Sequence, residues 1–482
     1  MRNYLMTAVA LGAVASMLAA PQEAQADTCL LDTNADDDAD SNVDTDGGAD
    51  DQGDSESVAC GNSAIADPEN TDGDGATALG DTAVARGPGT LAIGNSVLAD
   101  GIGAVAVGGD ADSAGANVIT RAVGDRTTAL GNGANASAAD AMALGFNSAA
   151  AGSNSIAIGN ESDATNTGAV ALGGNGTDAN ALGAQATGFQ STAIGTDTNA
   201  VGGASLALGV GAATTNSFDI AIGGVANAAG GNAIAVGNAA TTTAEAAIAI
   251  GELTDATMAG AIAIGGDGLD GNADGAQAGG QEAVALGADT NAGGGFSVAI
   301  GSAAASAGLS AISIGVGSTA TTEGSVSLGR SSDATGFTAV AIGSDAQAAG
   351  TNSIAFGVEA NTTARGSIAF GQDASVIDAN EDNGFDPPSV QESRDAIAIG
   401  TDSQVAGNGA IALGKNARVL DENNQFETKP STNAIAIGAD ATAQSSEAIA
   451  LGKSSTSSGS KAVAIGSSSQ GTGLAGVVVG NS

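Results

Sequence analysis

Apolar positions recur along this chain in a four-residue signature, apolar-Ala-apolar-Gly, from Val58 almost to the last residue. Leu91-Ala92-Ile93-Gly94, Ile156-Ala157-Ile158-Gly159, Ile312-Ser313-Ile314-Gly315 and Val463-Ala464-Ile465-Gly466 are examples. Counting the closing glycines from Gly61 to Gly480 gives 27 units, and 20 of the 26 intervals are 14 residues long. A short fixed period over some 400 residues is the mark of a solenoid. The signature is rich in β-branched residues and no 3.6-residue period accompanies it, so the units read as strands.

The unit Ser297 to Ser310 predicts two strands and two corners. The first strand lies around Val298 to Ile300, a corner follows at Gly301, a second strand lies around Ala304 to Ala307, and a second corner at Gly308 closes the rung. Glycine suits both corners because it tolerates positive φ. Stacked at about 4.8 Å per rung, 27 rungs make a rod about 130 Å long.

The first strand is apolar on both faces, with Val298 and Ile300 on one and Ala299 on the other. Strands of that kind are normally buried on both sides, and a roll of two strands per turn covers only one. The second apolar face is expected to meet another copy, with small Ala there permitting close approach around a cyclic axis. The irregular intervals of 19, 22, 23, 24 and 29 residues place insertions at corners. Three follow a signature glycine: one after Gly109, Gly174 to Gly183, and Gly266 to Gly275. The others, Asp67 to Asp74, Ile377 to Asp395 and Leu420 to Asn433, follow a second strand. The last two are polar and contain Pro387, Pro388 and Pro430, as surface excursions do.

The N-terminus is different material. Arg2, the apolar run Leu5 to Ala20 and the small-residue site Ala24-Gln25-Ala26 predict a signal peptide over residues 1–26. Residues 27–57 form an acidic leader, with twelve acids between Asp27 and Glu56 and no Lys or Arg, too polar to fold alone. Asn42 to Gly47 starts like a calcium loop, but Gly53 stands where the bidentate Glu belongs. The repeat then occupies 58–482.

Composition narrows the function. The chain has no His or Trp, 2% aromatics, two cysteines and a net charge of −41. The commonest general base and metal ligand are missing, as are thiolate clusters and the basic footprint that nucleic acids require. No catalytic, cofactor-binding or metal-ligating set is expected. Cys29 and Cys60, in an exported chain, are a disulfide candidate that ties the leader over the first rung.

Ser353-Ile354-Ala355-Phe356-Gly357 and Asn433-Ala434-Ile435-Ala436-Ile437-Gly438, at this spacing, resemble the head repeats of YadA-like trimeric autotransporter adhesins. The resemblance runs from about Val58 to Ser482. It implies an all-β, left-handed parallel β-roll, a homotrimer, and a non-enzymatic attachment role at the surface of a Gram-negative bacterium. The coiled-coil stalk and membrane-anchoring strands of that family are not seen in these residues, and a structural surface fibre is the alternative reading. A calcium-holding nonapeptide roll is disfavoured because Asp163, Asp197, Glu252 and Asp333 are read as sharing no slot. A mineral- or ice-binding face is disfavoured because Thr241 to Thr243 and Thr321-Thr322 are only local clusters. No residue names a ligand. The excursions carry the candidate contacts Phe385, Arg394, Phe426 and Lys429, residue types common in interfaces.

Overall fold

A computed structural model describes residues 57–67, 75–109, 119–176, 182–268, 274–377, 394–420 and 431–480. It divides into two compact units, with the boundary between Ala212 and Ala213. Both units are built the same way. Among the described residues every element is a short strand, and none is a helix.

The expected parallel β-solenoid of 14-residue rungs is what the chain forms. The first strands are three or four residues long and stack in parallel, so that Ala285, Ala299, Ser313 and Ser327 follow one another in register. The second strands stack likewise but are shorter than the sequence implies. The pair around Ala304 to Ala307 reduces to Ala305–Ser306, in line with Asn291–Ala292 before it and Thr319–Ala320 after it. The flanking residues are already turning, since Ala304 and Ala311 point into the roll with no exposure.

The insertions leave this register intact. Asp163 pairs with Gln185 across the excursion after Gly174, and Asp255 with Gln277 across the one after Gly266. Ile368 pairs with Ile397, and Ile411 with Ile435, across the two polar excursions.

The interior corrects the orientation read from the sequence. Ala299, Ala304, Ser306 and Ala311 are all fully buried, and this four-column pattern repeats rung after rung. Small Ala therefore fills the inside of the roll and does not lie on the outer face, whereas Val298 and Ile300 point outward and are only half-buried. The cause is steric. Two sheets joined by corners of four and five residues leave room for side chains no larger than valine, and Val97, Val376, Val405 and Val419 are the largest fully buried ones. A buried methyl contributes roughly 0.8 kcal/mol, so the backbone ladders carry much of the cohesion.

The corners explain the glycines, in two different ways. Gly301 has φ +126, and a Cβ there would lie 2.6 Å from the carbonyl oxygen of Gly315 on the next rung. Gly308, expected to supply a positive φ at the second corner, does not. It is glycine because a Cβ would strike the Thr322 carbonyl. The left-handed residues are the non-glycines two places further on, Ala303 at φ 54 and Ser310 at φ 55. Each donates its N–H to the preceding rung, to the Ala288 and Gly295 carbonyls at 2.9 and 2.8 Å. Stacking imposes the left-handed conformation on residues as unsuited to it as Val225 and Phe296.

Candidate interaction surfaces

With the interior closed, each unit offers two outward sheets and two ridges of corners. The first-strand sheet turns out an aliphatic stripe, formed in the second unit by pairs such as Val298 with Ile300 and Ile312 with Ile314. Phe356 and Phe370 occupy equivalent places on neighbouring rungs, 41% and 48% exposed, and stack with centroids 4.7 Å apart and planes 5° from parallel. A contiguous apolar stripe of this kind marks a contact surface.

The second-strand sheet differs. Among the described residues its outward column carries large apolar side chains only at Ile65, Val84 and Leu98, and from Arg121 onward it is polar except at the small Ala149, Ala213 and Ala305. Within it one succession appears three times on consecutive rungs: Asp163, Gln185, Asn199; Asp255, Gln277, Asn291; and Asp333, Gln347, Asn361. Asp163 and Asp333 therefore do share a slot, together with Asp255, contrary to the expectation that the acids wander. The insertions hide this in the sequence, because they stretch the Asp-to-Gln spacing from 14 to 22 residues in two of the three cases. Each Asp is followed two residues later by an exposed Thr, at Thr165, Thr257 and Thr335.

Burial raises the pKa of all three of these carboxyls above the ordinary aspartate value. Gln185 donates to Asp163 and Thr241 to Asp255, which opposes the effect of burial there. Asp333 Oδ1 and Asn361 Oδ1, in the third succession, accept no hydrogen bond.

The ridges hold the remaining charge. Arg126 reaches Asp140 at 2.7 Å and Arg330 reaches Asp345 at 2.9 Å, each across one rung. The Arg126 hydrogen bond holds the Asp140 carboxyl below its ordinary range. Among the described residues one acid lies inside. Asp219, fully buried, accepts the backbone N–H groups of Asn216, Gly231 and Ala233 at 2.9, 2.8 and 3.0 Å.

Of the residues singled out from sequence, Cys60 ends the strand Val58–Cys60 and is half-buried, and among the described residues there is no free cysteine. Arg394 lies exposed on the second corner, bridged to Arg365 on the preceding rung, and its carbonyl accepts the Gly409 N–H at 2.7 Å. Cys29, Phe385, Phe426, Lys429 and the calcium-like run from Asn42 lie outside the described residues.

None of the curated proteins compared with this chain matches it significantly. The YadA head domain repeat does match, in twelve stretches between residues 72 and 469, among them 72–96, 186–212, 306–332 and 443–469. These stretches cover more than half of the chain and follow the rungs, so the chain belongs to the YadA head repeat family.

Proposed function

We propose that this chain is the head of a bacterial surface adhesin, acting as a homotrimer. The observation that carries the reading is the aliphatic first-strand stripe, an apolar surface running through rung after rung of a family built for attachment. A second copy is the natural cover, because the stripe has the same pitch in every copy and a cyclic arrangement buries all stripes together. The purified mature protein should sediment as a trimer at micromolar concentration. It should also adhere to matrix proteins or cells. A folded monomer would overturn the assembly, and self-assembly into fibres without adhesion would favour the structural-fibre alternative.

The termini complete the proposal. Residues 1–26 direct export across the inner membrane, and the acidic leader follows at the cell surface. A Cys29–Cys60 disulfide ties that leader to the first rung, a reading supported by the lack of free cysteine among the described residues. Two free thiols per unreduced chain would end it. The excursions bearing Phe385, Arg394, Phe426 and Lys429 offer contacts in three copies around the axis, where weak sites gain from avidity. Replacing both excursions with two-residue turns should leave the roll folded and lower adhesion. Full adhesion by the shortened protein would place binding elsewhere.

A further inference from the structure

We propose that the second-strand sheet is a binding surface for a neutral, hydroxyl-rich polysaccharide lying along the stack of rungs. The inference rests on the adhesin reading and names the class of ligand.

The first argument is chemical. Each succession sets a carboxylate, two amides and a threonine hydroxyl side by side, a mixture of acceptors and two-way groups that pairs with vicinal sugar hydroxyls. The second argument is spacing. In-register parallel strands repeat at about 4.8 Å, close to the advance of one sugar ring along an extended polysaccharide, so consecutive rungs address consecutive sugars. The third is charge. From Asp163 to Ser375 the outward column holds no Lys or Arg, in a chain of net charge −41, which disfavours an anionic polymer. Among the described residues no three acids gather as a metal-holding group.

A fourth observation is independent of the column. Phe189, Phe296 and Phe337 stand on the second corner of a rung belonging to the first, second and third succession respectively, each about half exposed. An aromatic face at the rim of a hydrogen-bonding sheet suits the apolar face of a sugar ring. Three copies of a weak site along one chain bind a polymer far better than any one binds a short fragment.

The test is native gel electrophoresis of the mature protein through gels containing hydroxyethylcellulose, glucomannan or, as the anionic control, alginate. At least one neutral polymer should retard it. The variant carrying Asp163→Ala, Asp255→Ala and Asp333→Ala should lose at least tenfold in affinity. It should fold normally, since Ala149 and Ala305 already occupy the same column. Retardation by alginate alone, by no polymer, or equally for both proteins would overturn the proposal. Cell adhesion measured in parallel separates the two readings. Adhesion without polysaccharide binding sinks the ligand class and keeps the adhesin, and polysaccharide binding without adhesion does the reverse.

Discussion

The two sheets of a rung share one backbone pattern and one interior, and they differ in what they turn outward. On the first-strand sheet Val298 and Ile300 flank the buried Ala299. On the second-strand sheet a single outward residue, Asn291 or Gln277, precedes a buried Ala. The solenoid does not need its large side chains in order to fold. Its core is alanine, serine, threonine and a few valines, so the aliphatic stripe and the polar column are both available for contacts with something else. One is suited to a dry interface and the other to a hydrated one.

The same charge placed on the two sides of one strand should have very different effects. Ala299→Asp places an unpaired carboxylate in a fully closed interior and should cost more than about 4 kcal/mol. The sign of success is loss of the cooperative thermal transition around that rung. Ile300→Asp, on the outside of the same strand, should leave the secondary structure of each chain in place and shift the sedimentation equilibrium toward monomer. If both variants unfold alike, the stripe belongs to the core and the division between inside and outside is wrong.

Next in size come the two backbone features that hold the rungs in register. Asp219 satisfies three backbone donors at once, and a buried donor left unpaired costs about 1–3 kcal/mol. Asp219→Ala should therefore lower stability by about 3 kcal/mol or more in urea denaturation, whereas Asp219→Asn retains one acceptor oxygen and should fall between. Gly301→Ala should lose about 1–3 kcal/mol through strain alone, because φ +126 and the Gly315 oxygen leave no place for a methyl. Ala303→Gly should go the other way. It relieves a left-handed conformation worth about 1–2 kcal/mol at an entropic cost of about 0.5–1 kcal/mol, for a gain of up to about 1.5 kcal/mol. A loss on Ala303→Gly would mean that the Ala303 methyl packs in a way its left-handed corner does not require.

These corners also show where the sequence is legible. Period and strand phase follow from the signature glycines, because Gly301 and its equivalents are fixed by contact with the next rung, whereas Asp67, expected to open an excursion, is still a strand residue paired with Arg86. The second corner misleads, since Gly308 is chosen for space and its left-handed neighbour Ser310 carries no compositional mark. Which face of Val298-Ala299-Ile300 turns inward is also undetermined by alternation alone, as both faces are apolar. It is decided by the narrowness of the roll, a tertiary quantity. The Asp-Gln-Asn successions could have been found by reading the fourth residue after each signature glycine, had the insertions been removed first.

On the polar sheet a single carboxyl should change stability only slightly. Asp333 has its pKa raised by burial, with no hydrogen bond opposing it. A carboxyl whose folded pKa exceeds its unfolded value binds a proton more readily in the folded state. Its ionised form is therefore a liability at neutral pH, and the liability fades as pH falls from above the folded pKa to below the unfolded one. Asp140, held low by Arg126, has the opposite sign, and what it contributes is lost as pH falls through its folded pKa. Asp333→Asn removes the charge and keeps the shape. At pH 7 it should raise stability by no more than about 0.5 kcal/mol, the range of surface positions, and that gain should vanish by about pH 3, below the ordinary aspartate value. Paired urea titrations of the two proteins at pH 7 and pH 3 measure it. A destabilised Asp333→Asn variant at pH 7 would show that the carboxylate has a protein partner in solution, and that the column is internally satisfied and not open to a ligand.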